Sequence, residues 1–539
     1  MQRFNESRKI FRELYPLELV FLVLTPIFIG VIIDYDLFDS RYIVVNLIWV
    51  LVFTISYNIF HKKIIYRLGA IVYFLIGIIE ISHWVILKGP VTITSFMVLA
   101  NTNYNEAVEF MDLKSSFWLL ILIPYSILFV LTYRNPPTVS NSKKKSYVII
   151  FLALVAIIFI SENAINGRFV RKGVPQIANV TCSFFEKMTL YKEAMQEKSP
   201  KKIKVNSNGA SSQQTFVLII GESCSRRHMS IYGSKRITNP KLSERKDILK
   251  YTDVVSPYST TLNSVLAIMS NADLENRIDF DKSVDIIDIF HSAGYKTYWL
   301  SNQSPIGVWD NLITIFAKKS DYSKFVNISS NSSFEATQNP SYDSKLFDPF
   351  KAALNEKVDK KFIVLHLMGS HSSYLKRYPS DFNVFKGKNS KEETIAEYDN
   401  SMLYNDFIVD SLFNILKSNT TIQNNTISSA IYLSDHGENV YDANDRVGHD
   451  YSKEMPKVNV EIPFLVWLSP SYTFNNAVKT ETIKTNINQP FVTDDLFHAI
   501  MDLNGIQCAF LKNEKSVFNE KFNNSRQRIL EDGRDYDAK

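Results

Sequence analysis

Residues Ala430 to Glu438 read AIYLSDHGE, a short apolar run that stops abruptly at Ser, Asp, His, Gly and Glu. Such a run predicts a buried strand, and a strand is rigid, so Asp435 and His436 at its carboxyl end are held in place. Open α/β sheets bind ligands at those ends. Taken alone, the stretch is equally well read as a strand followed by an ordinary polar turn. A second stretch favours the ligand reading. Phe216 to Ser223, FVLIIGES, repeats the pattern of apolar run, Gly and carboxylate. Two strands that each end in candidate ligands predict one shared site.

At 539 residues the chain calls for at least two structural units, because its apolar residues are concentrated in the first third. The net charge of +5 is modest for this length and gives no reason to invoke nucleic acid. The three cysteines, Cys182, Cys224 and Cys508, contain no CxxC pair, which excludes a thiolate zinc site and a disulfide scaffold. A bound metal would therefore use Asp, Glu, His and hydroxyl groups.

Five apolar segments lie in residues 1–165: Leu17 to Ile33, Tyr42 to Phe60, Leu68 to Leu87, Phe117 to Tyr133 and Tyr147 to Ile160. Several approach the roughly 20 residues needed to cross a bilayer. The first lacks a cleavage site and is expected to be a retained anchor. Arg3, Arg8, Lys9 and Arg12 precede it, Lys62, Lys63 and Arg67 follow the second segment, and Arg134 and Lys143 to Lys145 follow the fourth. The opposite loops carry only Arg41, Lys88 and Lys114. This bias predicts a cytoplasmic N-terminus and places everything after Ser161 outside. Glu80 and His83, near the outer end of the third segment, read either as functional intramembrane groups or as residues that meet the interface.

Residues 166–214 change character. Ser183 to Lys198 has a helical pattern suited to the membrane surface or to packing on a soluble domain. Pro200 to Gln214 reads as a linker. Across 215–520, strand-like runs at Phe216, Asp253, Thr297, Lys361, Ala430 and Glu461 alternate with helical patterns such as Ser283 to Ala293 and Ile395 to Lys417. Alternation predicts an α/β domain with a mostly parallel central sheet flanked by helices. Residues 521–539 read as a charged, frayed tail.

Glu222, Asp435 and His436 form a set suited to a zinc-type or manganese-type ion, with a position left open for an oxygen. The missing part is a hydroxyl nucleophile. Ser256 to Ser270, SPYSTTLNSVLAIMS, places Ser259, Thr260 and Thr261 just ahead of a helical run. There the helix dipole favours a phosphate. Plain helix capping by Ser or Thr explains the same residues.

The combination of GES at Gly221, RHMSIYG at Arg227, TNP at Thr238, STTLNSV at Ser259, GSH at Gly369, YDNS at Tyr398 and SDHGE at Ser434 resembles the membrane-bound phosphoethanolamine transferases of the alkaline phosphatase and sulfatase superfamily. The resemblance covers nearly the whole chain, the five preceding spans included. It implies a zinc site of one or two ions at Glu222, Asp435 and His436, with manganese as the lesser candidate. It implies Thr261 as both nucleophile and metal ligand, with Thr260 as its nearest rival. His371 and His449 match histidines that contact the transferred phosphate or an additional zinc; a surface histidine is the plainer reading of each. Asn302, in SNQSPIGVWD, is the third expected substrate-binding residue.

The resemblance further implies a ping-pong reaction. Thr261 would take phosphoethanolamine from phosphatidylethanolamine, release diacylglycerol, and pass the group to lipopolysaccharide or lipooligosaccharide at the outer face of a bacterial inner membrane. Lipid A-modifying members carry a disulfide around the nucleophile, where this chain has Pro257 and Ala267, and a lysine absent from SNQSPIGVWD. These departures, and the GESxxRxxMSxYG pattern, point to a core sugar as acceptor. Arg226, Arg227, Lys235, Arg236, Lys376 and Arg377 could face an anionic acceptor or simply be solvated. A phosphoglycerol transferase, a sulfatase and a non-catalytic envelope sensor or scaffold are the competing readings. No Cys stands near Ser259 to Ser264 for sulfatase-type maturation, and an inactive scaffold predicts disrupted ligands.

Overall fold

The structure is a computed structural model. It describes residues 16–33, 41–60, 62–87, 120–136 and 177–185, the isolated positions 90, 91, 95, 96, 175 and 189, and residues 202–538 apart from 208–212, 304–312, 328–339, 423–425 and 450–453. The described residues fall into two compact units divided near residue 190.

The first unit contains helices α1 (Leu17–Ile33), α2 (Arg41–Phe60), α3 (Lys63–Leu87) and α4 (Leu122–Arg134). By length and composition, Tyr42–Phe60 and Lys63–Ile86 suffice to cross a membrane, and the other two helices are shorter and apolar. Close packing and hydrogen bonds hold these helices together. Tyr125 shows how: its hydroxyl donates to the carbonyls of Leu22 and Tyr73, both at 3.1 Å, tying α4 to α1 and α3. A Cβ on Gly77 would fall 1.8 Å from that hydroxyl. His83 Nε2 lies 2.8 Å from Ser95 Oγ. The expected fifth span, Tyr147 to Ile160, lies outside the described residues. So does most of the expected helix at Ser183 to Lys198; the described helical turns there cover 177–185.

The second unit is built on a seven-stranded sheet. Its strands, in chain order, follow β1 (Val205–Ser207), which lies elsewhere: β2 (Gln214–Gly221), β3 (Ile248–Tyr251), β4 (Lys296–Ser301), β5 (Tyr322–Phe325), β6 (Lys360–His366), β7 (Ile427–Ser434) and β8 (Phe464–Leu468). The spatial order is β3-β8-β7-β2-β6-β4-β5. From β7 to β5 all neighbours are parallel, and β8 runs antiparallel to both β7 and β3. The mostly parallel sheet is thus present, with a mixed edge. The central strands are buried along almost their whole length, which is why they read as continuous apolar runs rather than alternating ones. One face packs on helices α7 (Phe347–Asn355) and α8 (Ser390–Ile422), through Phe350, Leu354, Ile408, Leu412 and Leu416.

Three expectations are corrected. The run at Asp253 is no part of the main sheet: Val254–Val255 pairs with Phe491–Val492 in a separate ladder, while the charged edge strands β3 and β5 take the outer places. The linker is partly structured, because β1 pairs antiparallel with β9 (Ile506–Cys508). The frayed tail is a packed segment. Arg526 bonds Asp494 at 2.9 Å, Arg528 bonds Asp253 at 2.7 Å, and Tyr536 donates to Glu461 at 2.7 Å. Its charges are paired in the fold, so composition gave the wrong impression.

Candidate active site

Strand register brings the site together. Gly221, the last residue of β2, lies opposite Ser434, the last of β7, so Glu222 and Asp435 leave the sheet side by side. Ile220 lies opposite His366, and Ser301 opposite the same residue, which places the ends of β6 and β4 at the same edge. Four carboxyl ends of parallel strands therefore converge, as expected for a ligand site in an open α/β sheet.

Glu222, Asp435 and His436 are buried, and their ligand atoms lie within 4.8 Å of one another. His436 Nδ1 donates to the Gly437 carbonyl at 2.8 Å, which turns Nε2 toward Glu222 Oε1 at 3.2 Å and Asp435 Oδ2 at 3.6 Å. Asp435 Oδ1 accepts from the backbone of His436 at 2.7 Å and of Ser223 at 3.2 Å. Asp435 Oδ2 is buried and has no hydrogen-bond partner among the described residues. A fully buried carboxylate oxygen left without a donor is costly unless a cation meets it.

The electrostatics agree. Burial and the neighbouring Glu222 charge push the Asp435 carboxyl up to about 7. Burial also opposes charge on Glu222, but the hydrogen bond and charge of His436 outweigh it and hold that carboxyl well below the usual range. Burial opposes charge on His436 as well, yet the Asp435 and Glu222 carboxylates raise it to about 10. Two carboxylates and an imidazole are thus crowded together away from water. That donor set and the orphaned oxygen fit a zinc-type ion.

Helix α5 (Thr261–Ile268) begins at this cluster. Thr261 Oγ1 lies 3.0 Å from each carboxylate oxygen of Glu222 and 3.2 Å from His436 Nε2. Thr260 is the N-cap residue with extended backbone angles, but its side chain makes no capping bond. Its hydroxyl is buried with no hydrogen-bond partner among the described residues. The capping explanation therefore fails for both threonines, and the structure brings Thr261 to the Glu222 and His436 side chains.

The remaining expected residues divide. His449 joins the site: its ring centroid lies 4.5 Å from that of His436, and its Nδ1 is 3.0 Å from Glu438 Oε2. Tyr374 donates to the other oxygen of Glu438 at 2.7 Å. His371 sits on a loop hung from Glu222, whose carbonyl accepts from the Ser370 backbone at 2.9 Å. That loop depends on Gly369, which has φ +52° and where a Cβ would fall 2.6 Å from the Glu222 carbonyl oxygen. Asn302 is engaged inside the fold. Its amide donates to Ser341 and Asp343 and accepts from Ser341 Oγ, all within 2.9 Å. Asp343 in turn accepts from the backbones of Met368 and Gly369, so Asn302 acts on the His371 loop through Asp343. The next residue, Gln303, reaches the cluster instead, with Nε2 3.3 Å from Glu222 Oε2. Sequence reasoning missed Gln303 and the Glu438 contact, although SDHGE already contained the latter residue.

Residues 214–506, more than half of the chain, match the sulfatase family. The chain belongs to the sulfatase family. Among its relatives, phosphoethanolamine transferase EptC of Escherichia coli (strain K12) is 27% identical over 493 residues, covering 85% of this chain and 83% of that protein. The crystal structure of the C-terminal periplasmic domain of EptC from Escherichia coli, in complex with Zn, superposes with a TM-score of 0.55 at 27% identity, covering 62% of this chain and 94% of that one. The integral membrane protein lipooligosaccharide phosphoethanolamine transferase A (EptA) from Neisseria meningitidis shares the fold, with a TM-score of 0.68 at 19% identity over 93% of this chain and 97% of that one. This sulfatase-family chain thus resembles transferases in both its sequence and its site-bearing domain.

Proposed function

We propose that this chain is a phosphoethanolamine transferase of a bacterial inner membrane, with a cytoplasmic N-terminus, several spans and a periplasmic catalytic domain. Its donor is phosphatidylethanolamine and its acceptor lipopolysaccharide or lipooligosaccharide, at a core sugar such as a heptose. The observation that carries this reading is the placement of Thr261 Oγ1 against Glu222 and His436 at the carboxyl edge of the sheet.

Glu222, Asp435, His436 and the Thr261 hydroxyl would hold zinc, with His436, Glu438 and His449 as a second group of possible ligands. When bound, such an ion supplies Lewis acidity toward an adjacent oxygen. The chain's own residues do the rest. The Thr261 hydroxyl points its proton at Glu222, leaving an oxygen lone pair to attack phosphorus. The Thr261 oxygen–phosphorus bond forms as the hydroxyl gives up its proton, the bond to the diacylglycerol oxygen breaks, and that oxygen takes up one proton in exchange, so that diacylglycerol leaves as the neutral alcohol. An acceptor hydroxyl then repeats the exchange and releases Thr261. Because Thr261 is the first residue of α5, the positive end of the helix dipole favours the phosphate on it. His371 and His449 are proposed to contact the transferred phosphate.

The test is mass spectrometry of lipid A and core fractions from cells with and without the protein. The expected result is a phosphoethanolamine mass increment on the core fraction that Thr261→Ala abolishes. Labelled glycerol instead of labelled ethanolamine in the product would identify a phosphoglycerol transferase and overturn the assignment.

A further inference from the structure

The helix that presents Thr261 has no side-chain cap of its own. What holds its first turn instead comes from the far end of the chain. Glu531 Oε1 accepts from the Ser259 backbone N–H at 3.2 Å and from the Ser259 hydroxyl at 3.1 Å. Its other oxygen accepts from Asn263 Nδ2 at 3.4 Å. One carboxylate therefore binds two residues before and two residues after Thr261. The backbone N–H of Glu531 donates to the Pro257 carbonyl at 2.9 Å, which fixes the start of the same turn.

The segment that carries Glu531 is itself anchored to the neighbouring loops of the site. Leu530 N–H donates to Arg534 O at 2.8 Å, and an antiparallel bridge pairs Ile529 with Asp535, so residues 529–535 form a closed tip. Arg528 grips Asp253, just ahead of the Val254–Val255 strand that leads into the Thr261 turn. Asp532 accepts from the Met455 backbone at 3.1 Å, and Tyr536 donates to Glu461, which also binds Arg227 of the RHMSIYG stretch at 3.0 Å. The tip is tied to the nucleophile turn, to the segment after His449 and to the loop after Glu222.

We infer that Glu531 is a positioning residue for the nucleophile, and that the C-terminal segment 526–537 clamps the Thr261 turn against the Glu222 and His436 side chains. The inference rests on Thr261 being the nucleophile. Its physical basis is that an oxygen has to be held within a fraction of an ångström of its line of attack, and an uncapped helix start leaves two soft residues immediately before it. A carboxylate beside a helix N-terminus is also favoured by the helix dipole.

The experiment uses the full-length protein in detergent micelles with fluorescently labelled phosphatidylethanolamine. It follows steady-state release of labelled diacylglycerol and formation of phosphoethanolamine on Thr261 by intact-protein mass spectrometry. Thr261→Ala tests the underlying reading separately: modification and turnover that survive it overturn the nucleophile assignment itself. With that control inactive, Glu531→Ala is expected to lower kcat and the rate of Thr261 modification by about tenfold or more, with KM for the donor and zinc content unchanged. Glu531→Gln keeps an oxygen for Ser259 and is expected to restore most of the rate. Ser259→Ala combined with Glu531→Ala is expected to cost less than the sum of the two single effects, as for residues in one contact. An unchanged kcat in Glu531→Ala, a loss that Glu531→Gln does not recover, or a loss fully accounted for by zinc content or folded fraction overturns the inference.

Discussion

Thr261 Oγ1 lies 3.0 Å from both carboxylate oxygens of Glu222, 39 positions away in the sequence. The approach depends on α5 starting at Thr261, so that its hydroxyl, not that of Thr260, faces Glu222 and His436.

This separates the two threonines experimentally. Thr261→Ala is expected to reduce transfer by at least about a thousandfold, since the bond-forming atom is gone. Thr260→Val removes a buried hydroxyl that has no partner, and is expected to stabilise the fold by about 1 kcal/mol. Steady-state transfer and thermal unfolding of the two variants check both statements. Full activity in Thr261→Ala would end the case for it.

Asp435 Oδ2 is a buried carboxylate oxygen with no hydrogen-bond partner among the described residues. Asp435→Asn and His436→Ala are each expected to lose zinc on dialysis, whereas Asn302→Ala, whose amide is engaged with Ser341 and Asp343, is expected to keep it. Metal analysis by plasma mass spectrometry gives the stoichiometry. Zinc retained in Asp435→Asn at the wild-type level would exclude it as a ligand.

Gly369 is held at φ +52° against the Glu222 backbone. Gly369→Ala meets both a strained backbone and a contact of 2.6 Å, so it is expected to cost about 1–3 kcal/mol and to displace the His371 loop. Urea unfolding together with a raised KM for the donor would register this. Unchanged stability would mean that the loop can move away freely.

His228 lies between Asp399 Oδ1 at 2.6 Å and Asp442 Oδ1 at 3.1 Å. Burial opposes its charge, but these two carboxylates prevail and raise it to about 9. Because the folded value is raised above the unfolded 6.5, its stabilisation is complete below about pH 6.5 and is lost as pH rises through about 9. The shift corresponds to about 3 kcal/mol. Apparent melting temperature should therefore fall between pH 6.5 and 9.5, and His228→Gln should flatten that slope. Equal slopes in the two proteins would rule His228 out as the cause.

Much of the site was readable along the chain because its ligands are local to strand ends. Ile219 and Ile220 before Glu222, and Tyr432 and Leu433 before Asp435, are apolar runs that any buried parallel strand requires. Gln303 was not readable, because nothing in SNQSP marks one amide over its neighbour; only the end of β4 lying beside β6 aims Gln303 at Glu222 and turns Asn302 inward. The C-terminal segment was misread for a related reason. Arg526, Arg528, Glu531 and Asp532 have the composition of a solvated tail, and their partners Asp494, Asp253, Ser259 and Met455 are distant in sequence.

The sequence by itself determined the apolar N-terminal segments, the α/β alternation and the candidate ligands Glu222, Asp435 and His436, since each is encoded by periodicity and by residue type within a few positions. The tertiary structure set Thr261, which the family resemblance had named, against those candidate ligands in place of Thr260, turned Asn302 toward Asp343, and laid Glu531 across the turn that leads into α5. Those outcomes depend on strand register and helix phase, where one residue of offset turns a side chain to another face.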